Sequence, residues 1–274
     1  MPTVEEGDAN NDSIDEEQYG NPDKLSEKGR ERIKEQVDNA LSAGAEKAEV
    51  FVETDAIFIV CKVSMMAEEI ERRFPELNVM LCNCGVLFPR RLETKDGFES
   101  TFQVNYLAHY LLSNLLIPIL TQNHANIIMI GSVLHTWPSL DWSDVMAEKD
   151  YEKYLQYSRS KLMCHLLAFA LHRRMNIARQ PVNVNIIELG KEKEPNNNGK
   201  LRTTSALSSS MSTLSICRQA GNLAQLIEGP CLEKISGKYL DPNGKQMRSG
   251  SEATDERLQE KLWTYSKELC EKYL

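Results

Sequence analysis

The stretch Asn126-Ile127-Ile128-Met129-Ile130-Gly131-Ser132 is an apolar run of strand length, closed by a glycine and a hydroxyl residue. Consecutive apolar side chains place hydrophobic groups on both faces of a strand, so both faces must be covered. Working outward, Asn78-Val79-Met80-Leu81-Cys82 upstream and Val182-Asn183-Val184-Asn185-Ile186-Ile187 downstream also read as strands. Helix-length segments separate them. One runs from Phe98 to Leu120, with Phe98, Phe102, Tyr106, Leu112 and Leu116 along one face; another runs from about Tyr151 to Met175. Strand and helix alternate, and crossovers of that length imply parallel pairing in a sheet covered on both sides. The expected fold class is α/β, a Rossmann-like doubly wound parallel sheet.

The flanks are read with the same rules. Ala56 to Cys61 is apolar on both faces and reads as a further covered strand, preceded by the β-rich run Ala48 to Glu53. Met65 to Phe74 reads as a short helix ended by Pro75. Residues 1–23 hold eight acidic residues and no Lys or Arg, the composition of a flexible tail. The division expected is an acidic disordered tail over 1–23 and one domain over 24–274. Inside that domain, residues 191–213 turn charged, then Asn-rich, then Ser/Thr-rich, as a long mobile loop would. Order returns with a helix near Ser215 to Ile227, a short strand Gly237 to Leu240, and a last helix from about Glu252 to Tyr273.

Composition excludes several classes. A formal charge of −8 lacks the basic footprint of a nucleic-acid binder. No stretch approaches the roughly 20 apolar residues of a membrane span. Seven cysteines with no metal-ligand spacing read as free thiols in a reducing compartment, which points to the cytoplasm. His165 and His172 share a helical face, but no third ligand keeps their spacing, so no metal site is expected.

The chemistry centres on Tyr157-Ser158-Arg159-Ser160-Lys161, which sets a phenol and an ammonium four residues apart on one helical face. A tyrosine with a pKa of about 10 is a poor acid or base near neutrality, and a fixed cation beside it favours the phenolate. Of nine tyrosines, Tyr157 alone has a lysine four residues on. Ser132 ends its strand at the carboxyl side, where open parallel sheets bind ligands, and its hydroxyl can donate to a developing oxyanion. Asn105 lies inside the long helix despite poor helical propensity. It can hold a water or a neighbouring backbone carbonyl there. Trp137 and Trp142, between Ser132 and Tyr157, either wall an apolar pocket or pack. Cys82 and Cys84 are expected to be buried thiols rather than a redox pair.

Together these residues resemble the short-chain dehydrogenase/reductase family. Leu81-Cys82-Asn83-Cys84-Gly85 stands where that family has an Asn-Asn-Ala-Gly strand end. The run from Thr94 through Asp96, Gly97 and Phe98 to Asn105, together with Tyr157 to Leu162, is similar to the branch of the WW domain-containing oxidoreductase and the retinol dehydrogenases. Ser236 to Tyr239 and Lys261 to Ser266 resemble that branch's closing strand and helix. The resemblance implies that Tyr157 is the general acid/base and that Lys161 lowers its pKa and bonds the nicotinamide ribose. It further implies that Ser132 orients the substrate oxygen and Asn105 supports a proton-relay water. Asn83 and Gly85, with Tyr157 and Lys161, would lie against an NAD or NADP cofactor. The substrate implied is a small-molecule alcohol or carbonyl of lipophilic character.

The pattern departs from the family in three places. The first strand, the glycine-rich turn that holds a pyrophosphate, its helix and the second strand are not recognised before residue 50. Asn21 to Arg30 resembles the helix that follows the second strand, so the sheet is expected to be incomplete in its N-terminal half. The helix after Val63 is expected to be short. Leu189-Gly190 replaces the usual Pro-Gly. An exposed apolar sheet edge would invite self-association, and a homo-oligomer is expected on that ground. Two readings follow: an active NAD(P)-dependent oxidoreductase, or a catalytically inactive relative acting through interactions.

Overall fold

A computed structural model describes residues 59–189, 193–194, 202–203 and 213–274. The tail expected over 1–23, the β-rich run Ala48 to Glu53 and most of the loop expected over 191–213 lie outside the described residues.

Four parallel strands form the sheet: β1 (Val79–Cys82), β2 (Asn126–Ile130), β3 (Asn183–Ile187) and, beyond two short strands, β6 (Tyr239–Leu240). They stand side by side in the order β1-β2-β3-β6. The registers run Val79 opposite Asn126, Asn126 opposite Asn183 and Ile186 opposite Tyr239. The two short strands, β4 (Lys193–Glu194) and β5 (Arg202–Thr203), pair antiparallel with each other.

The α/β reading holds, and alternation along the strands explains why both faces are covered. Ile127 and Met129 of β2, with Val184 and Ile186 of β3, face one core with Leu111, Leu120, Leu166 and Leu171. Ile128, Ile130, Ile187 and Leu240 face the other, against Leu223 and Leu226. The first core belongs to helices α2 (Ser100–Gln122), α3 (Lys153–Ile177) and α5 (Glu256–Cys270); the second belongs to α4 (Thr213–Glu228). Complete burial of a side chain of the size of Leu or Ile is worth about 2–3 kcal/mol, so these two clusters supply most of the adhesion between layers.

Two expectations need correction. Residues 59–61 are helical, not strand: α1 runs over Ile59–Arg73, six residues earlier than the start expected at Met65. Val63 and Ala67 are buried and Ile70 packs against the same core, a helical spacing. A short apolar run fits a buried strand and a buried helix face equally well, and packing against the central helix decided here. The helix expected to be short therefore spans 15 residues. Second, α2 is long and apolar enough, by length and composition alone, to cross a membrane, with a hydropathy of 1.2. Much of that window, 61%, is buried inside the fold, which accounts for its apolar character.

Candidate active site

Asn105 reaches the site because α2 changes its winding. Residues Gln103–Leu107 form a π-helical turn between ordinary helical turns. An extra residue in one turn re-aims a side chain, which is why such turns collect at functional positions. The start of the helix is held by Glu99, whose buried carboxylate accepts from the Thr101 and Phe102 amides at 2.7 Å each and from Gln156 of α3 at 2.9 Å.

Fully buried, the Asn105 amide works as a clamp. Its Oδ1 accepts from the Val86 N–H at 2.7 Å, and its Nδ2 donates to the Val86 carbonyl at 2.9 Å. The second Nδ2 proton goes to Ser160 Oγ, also at 2.9 Å. Of the two roles open to this residue, holding neighbouring backbone is the one the geometry displays. The segment it pins follows Asn83 and Gly85, both exposed at the carboxyl end of β1.

Lys161 is buried in α3 and donates to the Ile130 carbonyl at 3.0 Å. Its Nζ lies 5.7 Å from the centre of the Tyr157 ring. A Cβ added at Gly85 would stand 3.7 Å from both Lys161 Nζ and Asn105 Oδ1. Gly85, Asn105 and Lys161 therefore converge, with Ser160 linking Asn105 to the Tyr157 backbone through a 2.6 Å bond. Ser132 follows Ile130 by two residues. Its Oγ accepts from the Leu134 N–H at 3.2 Å and caps a short 3-10 turn, Val133–Thr136, leaving its own hydroxyl proton available.

Burial dominates the electrostatics at Tyr157. Burial pushes its phenol above the ordinary tyrosine range, and the nearby Cys164 and Glu188 push the same way.

Three residues of this neighbourhood carried no motif. Glu188 directly follows β3 and accepts from the Tyr239 hydroxyl. His135 and His165 stack face to face, centroids 3.7 Å apart. Their pairing joins residues distant in sequence, so no local spacing signals it. His172, considered beside His165 as a ligand pair, instead meets Ser236 Oγ at 2.8 Å. Cys82 is buried, its thiol pushed up to about 12 by burial, whereas Cys84 is exposed, contrary to the expectation of two buried thiols. Of the two loop tryptophans, Trp142 packs against the core beneath Lys261 and Trp137 is exposed.

The family model for short chain dehydrogenases matches residues 25–205, more than half of the chain. The mouse polyprenol dehydrogenase is 31% identical over 195 residues, covering 68% of this chain and 58% of that protein. The human WW domain-containing oxidoreductase is 30% identical over 239 residues, covering 83% of this chain and 57% of its own. The chain thus spans a little under three-fifths of these curated relatives. Among solved structures, an uncharacterized protein from Mycobacterium paratuberculosis superposes with a TM-score of 0.60 at 23% identity, covering 77% of this chain and 72% of that one, a likeness of fold.

Proposed function

The chain belongs to the short-chain dehydrogenase family, and from that premise we propose that it is an NAD(P)-dependent oxidoreductase acting on a lipophilic alcohol or the corresponding carbonyl. The observation that carries this reading is the convergence of Gly85, Asn105 and Lys161 beyond the carboxyl ends of β1 and β2. Ligands of open α/β sheets bind at that edge.

The residues fit the nicotinamide end of a dinucleotide. Lys161 has three N–H donors and spends one on the Ile130 carbonyl, which leaves two beside the exposed Gly85 for the hydroxyls of a ribose. Asn83 and Gly85 offer it an open strand end. Among the described residues no glycine-rich turn leads from a strand into a helix, so the pyrophosphate end is assigned to no side chain. A bound nicotinamide would supply or accept the hydride. The chain's own groups do the rest. Tyr157 gives or takes the proton at the substrate oxygen, Ser132 donates a hydrogen bond to that oxygen, and Asn105 holds the Val86 segment so that the cofactor edge keeps its shape. The lipophilic substrate class is supported by the similarity to polyprenol and retinol dehydrogenases. A reducing, cytoplasmic location is supported by the free thiols of Cys82, Cys84, Cys164, Cys231 and Cys270. Self-association belongs to the same reading; among the described residues β1 stands at the end of the sheet, with Leu81 39% exposed.

One observation favours a second reading, a catalytically inactive relative. Burial, followed by Cys164 and Glu188, pushes the Tyr157 phenol above its ordinary range, which disfavours the phenolate. Calorimetric titration with NADPH and NADH, followed by turnover assays on a polyprenol and on retinol, separates the two. Saturation in the micromolar range with turnover abolished by Tyr157→Phe supports the enzyme. Absence of binding up to millimolar nucleotide supports the inactive relative.

A further inference from the structure

The turn that presents Ser132 is held from an unexpected side. Gly250, in the segment before α5, donates its backbone N–H to His135 Nε2 at 2.9 Å. A backbone amide can only donate, so Nε2 carries a lone pair and the neutral ring carries its proton on Nδ1. That Nδ1–H meets the Ser132 carbonyl at 2.6 Å, and the same carbonyl also accepts from the His135 backbone N–H at 3.0 Å.

The ring has little room to leave this position. It is 2% exposed, lies parallel to His165 of α3 and meets the edge of Tyr239 of β6 at 5.4 Å between centroids. His165 is confined in turn, because the Tyr239 ring centroid stands 4.7 Å away and Gly131 approaches too closely to admit a Cβ. A methyl group at residue 131 would fall 2.6 Å from His165 Nε2. Helix α3, strand β6 and the Gly250 segment therefore all bear on one imidazole, and that imidazole bears on Ser132.

We propose that His135 is a positioning residue for Ser132: a neutral Nδ1–H imidazole strung between the Gly250 amide and the Ser132 carbonyl, through which the C-terminal segment sets the serine's place. The bearing on catalysis rests on the proposed oxidoreductase reading; the anchoring itself does not. Removing the ring's hydrogen bonds while keeping its volume leaves the Gly250 amide without its acceptor and the Ser132 carbonyl with one donor instead of two.

The test uses the full chain with nitrogen-labelled histidine, and the variants His135→Phe and His135→Asn. In the wild type, the His135 ring shows its proton on Nδ1 and the Gly250 amide exchanges slowly. His135→Phe accelerates Gly250 exchange by roughly tenfold, about the value of one hydrogen bond, and shifts the Ser132 carbonyl carbon resonance, with circular dichroism unchanged. His135→Asn keeps a donor for Ser132 and restores that resonance without restoring Gly250 protection. In a turning-over enzyme, His135→Phe lowers kcat more than it raises KM, and His135→Asn recovers kcat. A proton on Nε2, or Gly250 exchange and a Ser132 resonance unmoved by His135→Phe, overturns the proposal. A wild type that turns over no alcohol or carbonyl overturns the oxidoreductase reading alone, because the tautomer, exchange and carbonyl measurements still decide the anchor.

Discussion

The Lys161 ammonium donates to the Ile130 carbonyl at 3.0 Å, tying the helix that carries Tyr157 to the last residue of the strand that leads into Ser132. Two candidate residues far apart in sequence are thus set by one hydrogen bond, at the edge where a nicotinamide ribose would lie. Lys161→Met keeps the apolar stem and removes the donors. The expected outcome is at least a tenfold loss in NADPH affinity by calorimetry, a change of about 1.4 kcal/mol. An unchanged affinity would place the nucleotide elsewhere.

Asn105 makes three hydrogen bonds to Val86 and Ser160 from a fully buried position. Asn105→Ala leaves the Val86 N–H and carbonyl without those partners, at a cost of about 1–3 kcal/mol for a buried unpaired group. Urea denaturation should show a lower midpoint with little change in slope. Hydrogen exchange at Val86 should accelerate, and an equal exchange rate would contradict the clamp.

Glu188 adds, after burial and Cys164, to the upward displacement of the Tyr157 phenol. Removing its charge takes away one cause that disfavours the phenolate, so Glu188→Gln should move Tyr157 ionisation to lower pH. Tyr239, which donates to Glu188 and is also displaced upward mainly by burial, should follow in the same direction. Ultraviolet difference titration, with Tyr157→Phe subtracted to isolate the phenol, reads the shift. A move to higher pH would refute the assignment.

Acid should weaken this fold before it protonates most carboxylates. Burial lowers His109 to about 4 and also lowers His135 and His165. For a base whose folded pKa is depressed, the unfolded chain takes up the proton first. Stability is therefore complete above the ordinary value of about 6.5 and falls as pH drops toward the folded value. Melting temperature should decline steadily from pH 7 to pH 4. His165→Leu should flatten part of that decline, because it removes a ring that burial holds well below the ordinary histidine range. With no hydrogen-bond partner on either ring nitrogen, the replacement leaves no partner unpaired. A decline of equal slope in that variant would show that His165 contributes nothing to the acid sensitivity.

The order of strands and helices was legible in the chain because each apolar run has its own length and period, and local period reports the environment that a segment must meet. Tyr157 and Lys161 could be paired from sequence for the same reason: helical pitch alone brings them to one face. The Asn83 to Gly85 strand end and Ser132 could be placed because they close apolar strands. The helical start at Ile59 was not legible, since four or five apolar residues satisfy a strand and a buried helix alike until the packing partner is known. Nor was the π-turn around Asn105, whose extra residue per turn leaves no mark on composition.

By itself the sequence determined the α/β architecture, the family, and which residues stand at the carboxyl edge of the sheet. Only the tertiary structure decided what those residues do to one another. It turned Lys161 toward the Ile130 carbonyl, closed Asn105 onto Val86, and set Glu188 where it opposes ionisation of Tyr157. It also stacked His135 on His165 behind Ser132. Each of these relations joins residues 19 to 31 positions apart, and partners at such distances follow from how layers pack, not from the period of any one segment.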